Sequence, residues 1–217
     1  MKFKTGFVTK IFHFMGIFIF PINCQSQPAI EDISKPPPFV VEDEKYANVF
    51  KPLDGKWCGQ FFVYEDSSEQ HKGNPQPEIP ADFTLSKLSL KLILVIDVEQ
   101  EYSSESPYFQ RVKITDTYTN VDETKEVVES AGVNKVQNSE LWCVVVKPDE
   151  KVIHTGKSDG ENVIIWQRDL RHPLKIEYFR ETVFENKYRI IGWGYYGNDD
   201  PNLNPKMWFE GLYHRVE

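Results

Sequence analysis

The feature that most constrains this chain is a period of two. From about residue 56 to the end, apolar and polar residues alternate in segment after segment, as in "LKIEYFRET" (174–182) and "KMWFEGLYHRV" (206–216). Side chains of an extended strand point alternately to its two faces, so this pattern predicts half-buried strands. It places them near 56–64, 91–100, 108–118, 139–147, 151–156, 162–168, 174–182, 186–196 and 206–216. The connections "KPDEK", "KSDGEN", "DLRHP" and "FENK" are short and carry Asp, Gly, Pro or Asn, which suits tight turns between antiparallel neighbours. Sequential strands so joined close into an up-and-down β-barrel or pack as a sandwich. We read an all-β, antiparallel up-and-down barrel forming one domain over residues 50–217.

Two stretches interrupt the pattern. "EDSSEQHKGNPQPEIPAD" (65–82) is too long and polar for a hairpin and is expected to hang over one barrel end as a lid. "VDETKEVVESAG" (121–132) carries helix-favouring residues, with Asp122 as N-cap and Gly132 as stop, and predicts a short helical insertion. Residues 25–49, proline-rich in "SKPPPFVVEDEKYANVF", read as a mobile linker with one helical turn before the barrel.

The amino-terminal 24 residues hold Lys2, Lys4 and Lys10, no acid, and the run "IFHFMGIFIFPI". That run is too short to span a bilayer and has the length of a signal-peptide core, so a secreted or periplasmic location is expected, with no transmembrane segment in the mature chain. "FPINCQSQPAI" allows cleavage after Ser26 or a lipid anchor on Cys24. Loss of the three lysines would make a chain of formal net charge −8 more acidic still. Such a surface disfavours nucleic acid and anionic lipid as partners. Cys58 and Cys143 each follow a tryptophan in an apolar strand, and in an oxidising compartment they are a candidate disulfide; two buried free thiols are the alternative.

Alternation also assigns faces. In 174–182 it sets Leu174, Ile176, Tyr178 and Arg180 opposite Lys175, Glu177, Phe179 and Glu181, and the more apolar set, with Arg180, is expected inside. In 206–216 it sets Met207, Phe209, Gly211, Tyr213 and Arg215 inside. By the same parity Leu92, Leu94, Ile96, Val112, Ile114, Trp142, Val144, Val146 and Trp166 fill the interior.

Gly55-Lys56-Trp57 opening the first strand, with Arg215 on the last, resembles the lipocalins and the wider calycin group of ligand-binding barrels. The resemblance implies that Trp57 lies across the closed end and that Arg215 packs on its ring by cation–π attraction. It departs from lipocalins in lacking their C-terminal helix. "VEQEYSSESPYFQRV" (98–112) is similar to a Glu-Gln…Pro-Tyr…Arg-Val segment of the T-type phycobiliprotein chromophore lyases, themselves calycin barrels, without their later cysteine- and glycine-bearing segments.

The expected function is therefore a small-molecule-binding barrel for an apolar or amphipathic, carboxylate-bearing ligand. Tyr178 and Arg180 would clamp the carboxylate, as similar pairs do in the fatty-acid-binding relatives of the group, and Tyr213 and Trp166 would line the cavity. Arg180 paired with an internal acid such as Asp116 is the structural alternative. An enzyme of the lyase kind, or a filled barrel serving as a scaffold, are the other two readings. No catalytic signature is present, His71, His154, His172 and His214 stand at no metal-binding spacing, and "GNDDPNLNP" (197–205) reads as a tight connection. No cofactor and no metal are expected, and His214, the one late histidine a haem barrel could use, points outward by parity.

Overall fold

The structure, a computed structural model, describes residues 32–68 and 73–216. The expected signal segment at 1–24, with Cys24, and His71 lie outside the described residues. Ten strands form a closed antiparallel barrel: β1 (Gly55–Asp66), β2 (Leu90–Ser106), β3 (Phe109–Thr119), β4 (Lys125–Gln137), β5 (Glu140–Val146), β6 (Lys151–Ser158), β7 (Val163–Arg171), β8 (Leu174–Phe184), β9 (Lys187–Tyr196) and β10 (Met207–Val216). Each strand pairs with its sequence neighbours, and β1 pairs with β10 to close the ring, so every strand has a partner on both sides. Helical structure among the described residues is confined to short 3-10 turns.

One strand departs from the sequence reading. The stretch expected to hold a helical insertion belongs instead to the extended β4, which pairs with β3 over Lys125–Lys135 and with β5 over Ala131–Gln137. Its valines suit a pleated sheet, and Gly132 is a point of close approach, since a Cβ there would lie 2.2 Å from the Val144 carbonyl oxygen. The β4–β5 turn is tight, with Asn138 and Ser139 both at positive φ, the geometry that matches the twist of two antiparallel strands.

Two further segments cover the outer wall. Residues 73–89 run along the outside of β8, β9 and β10 as a strap, where Ile79 and Leu85 are buried against Ile176, Tyr178, Trp193 and Trp208. The Trp193 indole N–H donates to the Pro77 carbonyl at 2.7 Å, and the Gln76 N–H donates to the Tyr195 hydroxyl at 3.1 Å. The expected lid is thus a side wall. Residues 32–50, expected to be a mobile linker, are packed as well. Ile33 sits on the cluster of Phe109, Val133 and Val144; the Lys135 ammonium donates to the Asp32 carbonyl; buried Asp43 accepts from the Ser139 N–H at 2.7 Å.

These covers invert the expected facing of two strands. Pairing register fixes each face, because residues directly opposed across a ladder share one. Tyr178, opposite Trp193, and Arg180, opposite Ile191, point outward beneath the strap, while Glu177, Phe179 and Glu181 point into the barrel. On β5, Leu141, Cys143 and Val145 face inward, and Trp142, Val144 and Val146 face outward. Leu92, also expected inside, is 48% exposed beyond a bulge at Val63/Tyr64. Leu94, Ile96, Val112, Ile114 and Trp166 do face inward.

Candidate functional site

One end of the barrel is sealed by the residues around Trp57. The chain enters β1 through a 3-10 turn at Lys51–Leu53, and Gly55 takes a φ of +114°, which a side chain would strain. Trp57 is fully buried, and its indole N–H donates to the Leu53 carbonyl at 2.7 Å. Arg215, opposite Trp57 in the β1–β10 ladder, sets its guanidinium 4.2 Å from the ring centroid and donates to the carbonyls of Asp54 and Pro52. The Asp54 carboxylate ties this turn to β2 and β3 through the Ser104 N–H and hydroxyl and the Gln110 side-chain amide. Above it Tyr102, Tyr188 and Tyr213 form the floor of the interior, with Tyr188 and Tyr213 centroids 5.2 Å apart.

Toward the other end the interior opens. Phe61, Leu94, Ile114, Tyr118 and Phe179 point inward yet keep part of their surface in contact with solvent, so the barrel end above the tyrosine floor, the cup, is walled by partly exposed apolar side chains. Phe209 stacks between Phe61 and Phe179, with centroids 5.8 and 5.6 Å away.

One side of the cup is polar. At the mouth, Glu177 accepts from the Tyr196 hydroxyl at 2.8 Å, lies 3.0 Å from His154 Nε2 and 3.6 Å from the Arg168 guanidinium. Burial would raise its carboxyl, but these partners outweigh burial and hold it at about 2. Arg168 and Lys175 both contact Glu150 at 2.6 Å. Four residues deeper on the same face of β8, Glu181 has no cationic partner. Burial pushes its carboxyl up to about 7, and the Trp166 and Tyr188 side chains that donate to it offset only part of that. Asp116, inward on β3, is also raised by burial, with the field of Lys147 opposing. Two acids on one strand face thus differ in charge behaviour because one is paired and the other is not.

Trp57, Arg215, Trp166 and Tyr213 therefore share the interior, with Trp166 lying over Gly156 and alongside Phe50. Tyr178 and Arg180 do not join them. Tyr178 stacks on Trp193 outside the wall, centroids 5.5 Å apart, and Arg180 pairs with Asp159 at 2.5 Å rather than with the internal Asp116. Both border a groove of about 430 Å³ between the strap and β6–β8. Cys58 points outward from β1 and Cys143 inward from β5, and both are free thiols. A bridge needs Cα atoms about 4.4–6.8 Å apart with converging side chains, which opposite faces of strands four places apart cannot provide.

The inward charges of β6, β7 and β8 were missed because alternation alone cannot say which face is inside. A usable signal was the glycines: Gly156, Gly192, Gly194 and Gly211 mark inward positions where Trp166, Phe179, Tyr196 and Tyr213 rings take the missing Cβ's place. Among the described residues no group of three or more His, Cys, Asp or Glu could hold a metal ion, and no helix is long and apolar enough to cross a membrane. His214 is exposed and faces outward. Asp199 and Asp200 accept backbone N–H groups within their own turn.

Fold and interior define the class: a closed ten-stranded antiparallel β-barrel with one sealed end and one open end. No protein family and no curated protein matches the sequence. Among solved structures the chain is similar to a redesigned β-barrel, at 11% identity and a TM-score of 0.35, over 79% of this chain and 97% of that one.

Proposed function

We propose that the protein is a small-molecule-binding barrel of the calycin kind, exported from the cytoplasm, that carries an apolar or amphipathic ligand in the cup above Trp57. The observation that carries this reading is the set of inward aromatic and aliphatic side chains left partly exposed inside a closed ladder. Apolar surface retained in water costs roughly 25 cal/mol per Å², and a ligand that covers it recovers that free energy. The Gly55-x-Trp57 entry with Arg215 over the ring supports calycin kinship, and the lysines and apolar run at the amino terminus support export. Native mass spectrometry of protein purified from its own cells, before and after organic extraction, tests the reading. An extractable adduct, and binding of the neutral fluorophore Nile red by the stripped protein, are expected; absence of both rejects it.

A second reading keeps a carboxylate-bearing ligand and moves it to the outer groove. Arg180 is buried there, and its partner Asp159 is half exposed, so a ligand acid would take the place of Asp159. Arg180→Met would then weaken binding of long-chain acids about ten-fold or more and leave neutral analogues unchanged; equal loss for both removes this reading.

A further inference from the structure

We infer that the outer groove between the strap and β6–β8 takes a free α-amino acid with an apolar side chain, its carboxylate on Arg180 and its ammonium group on Asp159. The inference rests on the reading of this groove as a ligand site, and goes beyond it by keeping Asp159 as a partner. Register builds the floor: Lys157 on β6, Ile165 on β7 and Arg180 on β8 are opposed in turn, so they form one row across the outer face of the barrel. Tyr178, two positions before Arg180 on the same face, extends that floor, and Ile79, Pro80 and Ala81 of the strap line the groove with it. The enclosed space of about 430 Å³ falls in the range of small-molecule sites, and its apolar part receives the side chain.

Arg180 is a charge set among these apolar side chains, 8% exposed. Its Nη1 donates to Asp159 Oδ2 at 2.5 Å, and its buried Nε–H has no acceptor in the protein. A guanidinium carries five N–H donors in a planar fork, and leaving a buried one unmet is costly. A carboxylate brings two acceptor oxygens that match the fork. Asp159 is the accessible half of the pair at 51% exposed, and the β6–β7 turn fixes it in place, its own N–H donating to the Val163 carbonyl at 3.0 Å.

Two features select a ligand of both charges. First, Arg180 and Asp159 are in contact, so a guest that uses both must carry its own opposite charges side by side. An α-amino acid does, with one carbon between carboxylate and ammonium; a peptide, charged at its two ends, does not. Second, the charged lining balances, with Arg180 and Lys157 against Asp159 and Glu78. A simple acid would compete with Asp159 for Arg180 and meet Glu78 as a like charge, and a simple amine would compete with Arg180 for Asp159 and meet Lys157. A zwitterion pairs with both members and meets neither penalty alone.

The test is equilibrium dialysis of the full chain at about pH 6, where both groups of an amino acid are charged, against three probes that share a phenyl ring. These are phenylalanine, 3-phenylpropanoate, which lacks the ammonium group, and 2-phenylethylamine, which lacks the carboxylate. Phenylalanine is expected to bind about ten-fold or more tighter than either. Asp159→Asn, which keeps a side-chain oxygen for Arg180, should bring phenylalanine down to the level of 3-phenylpropanoate without weakening that acid, which also reports an intact fold. If 3-phenylpropanoate matches phenylalanine on the unaltered protein, the ammonium partner is wrong and the groove stands as a carboxylate site. If 2-phenylethylamine matches it, Arg180 receives nothing and the inference falls. If none of the three is retained at millimolar concentration, the amino acid is rejected, while the long-chain acids of the groove reading are still judged by Arg180→Met. Should Asp159→Asn fail to fold, the ranking of the three probes on the unaltered protein decides.

Discussion

Glu177 and Glu181 are the same residue type on the same face of the same strand, and their surroundings set them to opposite tasks. Glu177 is held at about 2 because His154, Tyr196 and Arg168 outweigh its burial, so it stays charged and organises the mouth. Glu181 sits near 7 because burial prevails over its two neutral donors. Its ordinary value is 4.5, so between 4.5 and about 7 the folded chain keeps a proton that the unfolded chain has lost. Folding stability contributed by this site is therefore fully present below 4.5 and declines as pH rises through 7. Glu181→Gln removes the group that must ionise. Urea unfolding should show the variant about 1–3 kcal/mol more stable than the parent at about pH 8.5, with the difference gone by about pH 4. A constant difference across that range would mean that Glu181 does not titrate as its burial requires.

At the scale of elements, β4 shows how local preference yields to pairing. "VDETKEVVESAG" has the composition of a helix start and a glycine where a helix would stop. Its residues from Lys125 onward, however, pair with β3, and from Ala131 the strand pairs with β5 as well, so its backbone N–H and C=O groups are taken up by ladders rather than by a helix. Gly132→Ala tests the close approach of β4 to β5. In β4 the added methyl meets the Val144 carbonyl, and a loss of about 1–3 kcal/mol is expected by thermal or urea unfolding. The strap at 73–89 makes the related point about β8. With Ile79 and Leu85 covering Ile176 and Tyr178, both faces of that strand are buried, so the more apolar face is no guide to the inside.

For the whole molecule, ring closure fixes which residues can meet. Cys58 and Cys143 share a Trp-Cys context, yet the barrel sets them four strands apart and on opposite faces. Alkylation without reductant, read by peptide mass, should label both residues in unfolded protein. In folded protein Cys58 should react first, because burial raises the Cys143 thiol strongly and Glu181 raises it further. An unlabelled pair in the unfolded chain would restore the disulfide. Closure also joins β1 to β10, which brings Trp57 and Arg215 opposite each other from nearly the full length of the domain.

What the sequence determined by itself is what nearest neighbours along the chain control. Period two with short turns dictated an antiparallel all-β fold, and the Gly-x-Trp entry singled out Trp57 and Arg215, which meet at the sealed end. Parity also divided β8 correctly into Leu174, Ile176, Tyr178 and Arg180 against Lys175, Glu177, Phe179 and Glu181. Only the tertiary structure decided which set lies inside. Facing is a choice between two equivalent sides of a ladder, and it is settled by what covers each side: the strap and the 32–50 segment bury the outside, and polar groups that find partners across the ring are tolerated within. Those partners come from strands distant in sequence, so the interior acids of the cup became visible only once the ring was closed.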